Sequence, residues 1–354
     1  LRAGWYLEQM TRKAYESEPL PLTHTVDQLR TGSRDILPIY DRVKERVSVK
    51  RIIDFVASDD ERTKIQSPFN RSEMINYIPA KKFMLKVDSA RVMQQQVIAP
   101  EKASEMESQI DWDLNRNYVL KDGLCILDLM ATNEWERPMH FAVTVGPDKF
   151  INLDPYFQVE GLSYHLTPIR SASENGAQPG TVNSQRMYDV MMNKFKWGNI
   201  EDPDVYLDDD NRRMLTNFRS NFARLASQLV KEGKRDSAEK VMDLCMEKIS
   251  DENVHYAYFA TPFIRNYYRI GEHEKARKHL DILLKNLNDE MNYYVALGEY
   301  SAQFPNDIRR SMYTLKNMSD LASEYGDDEL SREILQDFDR YMKFLQDNLR
   351  TLNR

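Results

Sequence analysis

The residues of this chain with chemistry to offer are six histidines, a set of carboxylates near the middle of the sequence, and two arginine-bearing loops. A metal centre needs donors that converge, and His24, His140, His165, His255, His273 and His279 include no i,i+4 pair and no neighbouring cysteine pair. His140 and His165 fall in two predicted strands that can set them face to face. Two ligands without a third make no site, so a satisfied structural pair is expected there, with no metal and no cofactor. Asp202 to Arg213 has the acid density of a calcium loop, yet Leu207 takes the place of the sharp-turn glycine and Arg213 that of the closing glutamate. Asp208, Asp209 and Asp210 instead suit the start of the next helix, where carboxylates meet the positive end of its dipole.

Paired carboxylates are what glycoside hydrolysis needs, and Asp128, Glu134, Glu136, Asp154 and Glu160 cluster in sequence around one strand. Such density is ordinary in a chain with 30% charged residues, so solvated loop acids are the reading and no residue is assigned a catalytic role. A soluble hydrolase working near Asp154 and Glu160 would have to turn over substrate unaided. No G-x-S-x-G elbow, phosphate-cradling glycine loop or dinucleotide fingerprint is present. Arg34 with Asp35, and Arg137 beside Trp135, fit an anionic or sugar ligand better, because a guanidinium clamps two oxygens and an indole packs a sugar face. An internal arginine–carboxylate pair that pins the loops is equally economical.

The elements that must position these residues begin with a helix over residues 1 to 17, ended by Pro19 and Pro21. The loop Gly32-Ser33-Arg34-Asp35 leads into Ile36 to Tyr40, placed at a sheet edge by Pro38. A short helix runs from Arg51 to Ser58, and Lys82 to Val87 and Val92 to Ile98 are strand candidates that pair. Asp122 is suited to cap a helix opening at Gly123, with Leu124, Leu127, Asp128 and Ala131 along it; Asn133 to Arg137 is its exit loop. Met139 to Val145, β-branched, aromatic and nearly continuous in apolar character, predicts a central strand covered on both faces. Gly161 to Thr167 alternates and predicts a half-buried strand, and Ser171 to Val182 reads as a loop.

From Asn183 the hydrophobic period changes to that of a helix. Phe222, Leu225, Ala226 and Leu229 precede Gly233, and Ala238, Met242 and Cys245 follow it. The same offsets from Gly271 give Ala260, Phe263, Ile264 and Tyr267, then Ala276, Leu280 and Leu283. From Gly326 they give Leu315, Met318, Ser319 and Ala322, then Ser331, Leu335 and Phe338. Small residues where helices touch, large apolar ones a turn away and glycine at the turn make a tetratricopeptide-like pattern. Its glycines are 38 and 55 residues apart rather than about 34, so the repeats are divergent, with an insertion before the third. The tyrosines among them are assigned to helix packing.

At 354 residues the chain predicts two domains, a mixed α/β domain over 1-200 and an all-α repeat domain over 211-354, an α+β architecture. No apolar run approaches the ~18 residues that span a bilayer, which predicts a water-soluble chain. A first residue that is leucine, with no leader behind it, reads as a cut from something longer. The net charge of -7, without a basic stripe, argues against nucleic acid as a partner. Cys125 and Cys245, each in an apolar helical pattern, predict buried free thiols.

Five motifs follow in order between residues 5 and 198: Trp5 to Met10 (W-Y-x-x-Q-M), Gly32 to Asp35 (G-S-R-D), Thr132 to Val145 (T-N-x-W-x-R-P-x-x-F-A-V-T-V), Phe157 to Tyr164 (F-Q-x-E-G-L-x-Y) and Asn193 to Gly198 (N-K-F-K-W-G). In these the chain resembles the C-terminal portion of a family of multi-pass membrane proteins of Bacteroidota, itself similar to the membrane-embedded protein O-mannosyltransferases that use a lipid-linked sugar. The resemblance implies a place on the periplasmic face of the inner membrane. It also implies that the catalytic acid lies in an upstream membrane half, so that this portion is non-catalytic. The implied partners are that upstream transmembrane region and, through the helical repeats, an acceptor protein or partner subunit. The ligand-binding candidates are Trp5, Arg34, Asp35, Asn133, Trp135 and Arg137. The alternative is a stand-alone adaptor that only binds protein.

Overall fold

A computed structural model of the chain describes residues 4–68, 70–170 and 179–352. The fold is α+β, with small sheets in the N-terminal half and helices alone in the C-terminal repeats. The chain divides into two units, Leu1–Thr181 and Val182–Arg354. The division falls ahead of residues 201–210, which separate the two predicted domains. Phe195 and Trp197, before that stretch, pack on Phe222 of the first long helix, with ring centroids 6.2 and 5.7 Å apart.

The first unit runs α1 (Gly4–Met10), β1 (Ile36–Val43), β2 (Val47–Ser48), α2 (Val49–Ala57), β3 (Lys64–Gln66), β4 (Met74–Asn76), β5 (Ile78–Ala80) and β6 (Lys82–Lys86). It continues with α3 (Ser89–Gln94), β7 (Gln109–Asp113), β8 (Tyr118–Leu120), α4 (Lys121–Asn133), β9 (His140–Ala142), β10 (Phe157–Glu160) and β11 (Ser163–Leu166). α1 is shorter than the predicted helix. After Met10 the chain turns back, and Leu20 N–H donates to the Met10 carbonyl at 2.9 Å.

β1 is central, between β5 and β8, and not the edge strand that Pro38 suggested. The proline is tolerated because its neighbour makes the ladder bond, Ile39 N–H donating to Asn117 O at 2.8 Å, and pairing with β5 begins only at Ile39. β6 pairs with β2 and β7. The predicted strand over 92–98 is instead the end of α3 and a turn. Asp88 accepts the Arg91 N–H at 3.1 Å and nucleates the helix, and the β-branched Val92, Val97 and Ile98 are buried without forming a ladder.

α4 is buried along most of its length, Leu124, Cys125, Leu127 and Asp128 completely. Leu120, not Asp122, stands at its N-cap. The Asp122 carboxylate accepts the Gly123 N–H and pairs with Lys149 at 3.2 Å. Asp128 fastens the chain after α1 to this helix: its oxygens accept the Thr23 and His24 N–H groups at 2.9 and 3.0 Å and lie 2.8 Å from His24 Nδ1. Burial alone would raise this carboxyl, but the bonds from the His24 ring and the two amides outweigh it and hold the group below the usual carboxylate range.

β11 lies between β10 and β9, and β9 is an edge strand of three residues rather than a central strand over 139–145. Val145 N–H bonds back to Ala142 O at 3.0 Å and Pro147 follows, so the ladder ends early. Alternation along these strands sorts their side chains cleanly. Phe141, Phe157 and Tyr164 share one face, where Phe150 joins an aromatic core with centroids 4.9 to 5.9 Å apart. His140, Gln158, Glu160 and His165 share the other. Of the predicted loop over 171–182, residues 171–178 lie outside the described residues.

In the second unit α5 (Ser184–Asp189) precedes three helix pairs: α6 (Asp209–Lys231) with α7 (Arg235–Lys248), α8 (Thr261–Ile270) with α9 (His273–Ala296), and α10 (Pro305–Glu324) with α11 (Asp328–Leu352). Asp208 caps α6 by accepting the Asn211 N–H at 2.8 Å. Gly233, Gly271 and Gly326 make the three turns at φ of 73, 91 and 83°. The repeat register holds through the first two pairs, whose predicted contact residues are all buried. In α11 it slips by one: Leu330, Ile334 and Tyr341 are buried, while Leu335 and Phe338 are half-buried. The long α9 and the turn Gly298–Gln303 are the insertion before the third pair.

Arg219 and His279 are among the polar side chains buried in this helical core. Arg219 of α6 is 1% exposed and donates to the carbonyls of Ile249, Val254 and His255 at 2.9, 2.7 and 3.3 Å, holding the connection between α7 and α8. His279 lies between Tyr256, 3.3 Å from its hydroxyl, and the stacked ring of Tyr267. Burial, with Lys278 adding to it, pulls His279 down to about 4. The unfolded chain therefore takes up a proton first, so stability is full above about pH 6.5 and declines as pH falls towards 4. Urea titrations of wild type and His279→Gln at pH 7 and 4.5 will show the loss, on the order of 2 kcal/mol, in the wild type alone.

Candidate functional site

The exit from α4 gathers three of the candidate residues. Glu134 and Trp135 take successive left-handed conformations, φ 43 and 64°, and reverse the chain. Backbone strain of this kind persists where surrounding bonds fix it. Asn133 Nδ2 donates to Arg137 O at 2.7 Å, and Arg137 N–H donates to Asn133 Oδ1 at 3.2 Å. Trp135 is 7% exposed and its Nε1–H donates to Lys86 O at 2.9 Å, so the indole anchors the loop and offers no open face to a sugar. Arg91 reaches across to the Glu134 carboxylate at 3.1 Å and that of Glu136 at 3.6 Å, which ties both acids to the loop.

Arg137 itself is half-buried, and among the described residues its guanidinium makes no ion pair. It lines a cavity of about 440 Å³ whose wall is mostly apolar, from Ile126 and Leu129 of α4 to Phe141 of β9. Asn133, His140 and Lys149 bring polar groups to its edge. Lys149 is held by Asp122 and Asp148 at 3.2 and 3.0 Å and its charge is already balanced. An apolar chamber with one uncompensated guanidinium suits a ligand with an anionic or hydroxyl-rich head and an apolar body.

Arg34 and Asp35 stand apart from this cavity; Arg34 borders a different cleft, of about 320 Å³, with Gly32 and Met74, and Asp35 lines neither. Their side chains are engaged internally. Arg34, 6% exposed, donates from Nε to Val56 O at 3.3 Å and from Nη2 to Asp59 at 3.1 Å, closing the C-terminal end of α2. Asp35 pairs with the buried Lys121, which also donates to Arg30 O at 2.6 Å. That bond from Lys121 holds the Asp35 carboxyl below its ordinary range. Trp5, 66% exposed, meets Tyr6 edge-on at 5.7 Å and lines neither cavity.

The polar face of the β9–β11–β10 sheet carries a second constellation. His140 and His165 do face each other, their rings stacked with centroids 4.3 Å apart and planes 18° apart. His165 is completely buried, and its Nδ1 lies 3.1 Å from Oε1 of Glu160, itself 6% exposed. His140 Nδ1 lies 3.1 Å from Ser163 Oγ. Among the described residues His165 Nε2 is buried with no hydrogen-bond partner, at a cost of about 1–3 kcal/mol if nothing meets it. Glu160 is the third donor that the sequence reading lacked. Hairpin parity was the available signal: with Gly161 and Leu162 as the loop, Glu160 pairs with Ser163 and Gln158 with His165, so Glu160 and His165 share a face.

No curated protein and no solved structure matches the chain. The family described as TMEM260-associated domain 2 matches residues 1–186. The match takes in the first unit with its cavity and both histidines, and it covers more than half of the 354 residues. The chain belongs to this TMEM260-associated family, a group related to membrane glycosyltransferases.

Proposed function

We propose that this chain is the extracytoplasmic part of a membrane glycosyltransferase-related protein that acts in protein O-glycosylation, and that it is itself non-catalytic. Among the described residues no helix is long and apolar enough to cross a membrane. In this reading the chemistry belongs to a membrane-embedded region of the same protein, on the periplasmic face of the inner membrane. The first unit presents the Arg137 cavity to a ligand of that reaction, and the three helix pairs hold the acceptor protein or a partner subunit, as stacked helix pairs hold extended chain. The observation that carries the reading is the family match over residues 1–186.

The test compares glycoproteins from cells that carry the full-length protein, a deletion of residues 211–354, or Arg137→Ala, at matched expression. A charge-assisted bond from Arg137 is worth about 1.5–3 kcal/mol, so its loss should lower glycosylation about tenfold or more. Deletion of the helix pairs should abolish modification of those acceptors that dock there. Unchanged glycoproteins in both variants would sink the proposal. A pure adaptor would instead be sensitive to the deletion and indifferent to Arg137→Ala.

A further inference from the structure

We infer that His140, Glu160 and His165 form a binding site for one divalent transition-metal ion, zinc above others. The donor atoms of the three side chains lie within 4.8 Å of one another. They come from three adjacent strands, β9, β10 and β11, in fixed register, with His140 directly opposite His165, so the backbone brings them together.

The spacing of the two buried donors points the same way. His165 Nδ1 and Glu160 Oε1 lie 3.1 Å apart, close to the separation of two donors on one zinc, so an ion can take the place of the proton between them and release it. The remaining ring proton of His165 then sits on Nε2. Two imidazoles and one carboxylate suit zinc and its first-row neighbours and supply too few oxygens for calcium or magnesium.

The stacked rings hold their nitrogens in nearly parallel planes, so coordination of one ion by both requires a rotation. Zinc bonds of about 2.0–2.2 Å put tetrahedral donors roughly 3.4 Å apart, closer than the 4.8 Å within which the donors lie here. His140 is the exposed member and can turn about its side-chain torsions, whereas Glu160 and His165 are fixed by burial. Three protein donors leave a fourth position for water or another oxygen. Since His140 also lines the Arg137 cavity, the site shares a residue with it. The inference does not depend on the function proposed above.

The 354-residue chain, stripped with chelator and titrated with zinc sulfate in competition with a chromophoric chelator, should bind one equivalent. His140→Ala and Glu160→Gln should each weaken binding by about tenfold or more. Because His140 is exposed, His140→Ala should keep the metal-free melting temperature of the wild type and lose the rise that zinc gives the wild type. Cobalt in place of zinc should give the visible absorption of a tetrahedral site, absent in His140→Ala. Binding of less than half an equivalent by the wild type, or equal affinity in His140→Ala, overturns the inference.

Discussion

Arg219→Met will destabilise the helical unit by about 3–5 kcal/mol, measured by urea denaturation of the full chain. Replacing a buried ion pair by apolar residues is often harmless, because both charges leave together. Here the acceptors are the backbone carbonyls of Ile249, Val254 and His255, which no side-chain substitution removes. Each carbonyl left dry costs about 1–3 kcal/mol, and Tyr256 also loses the cation lying 4.9 Å from its ring centre. Arg219→Lys should fall between wild type and Arg219→Met, since one ammonium cannot span three carbonyls set by a planar fork. A loss below about 1 kcal/mol would mean that water takes over the bonds in the loop between α7 and α8.

Asp128→Ala should cost the first unit about 3–4 kcal/mol at pH 7, through the unmet N–H groups of Thr23 and His24 and the cavity left in α4. The depressed carboxyl gives this contribution a defined pH range. It is present above the ordinary carboxylate value of about 3.9 and is lost as pH falls through the lower folded-state value. The gap between wild type and variant should therefore be wide at pH 7 and narrow progressively below about pH 4. A gap that stays constant on acidification would show that packing, not the ionised carboxylate, holds the segment.

The helix pairs were legible because their determinants are local. A glycine at each turn and small residues at fixed offsets define Gly233 and Gly271 without any long-range knowledge. The slip in α11 was not legible, since Leu330 and Ser331 are both buried at its start and only packing favours Ile334 over Leu335. Strands suffered more. Val92 to Ile98 has the composition of a strand, but the Asp88 cap commits its start to a helix. Met139 to Val145 has the apolar continuity of a buried strand, yet the bond from Val145 to Ala142 cuts it to three residues. For the site, Asn133, Trp135 and Arg137 were legible as a group because one loop carries them. The internal roles of Arg34 and Asp35 depend on the end of α2 and on Lys121, which no local pattern reveals.

Each unit contains one of the chain's two cysteines, Cys125 in α4 and Cys245 in α7, both buried thiols. Burial pushes their thiols up to about 11 and about 12, far from the reactive thiolate at neutral pH. The molecule thus carries a matched pair of native reporters. Pulsed alkylation followed by mass spectrometry would time the opening of each half separately, with no engineered label, and reveal whether they come apart together or one after the other.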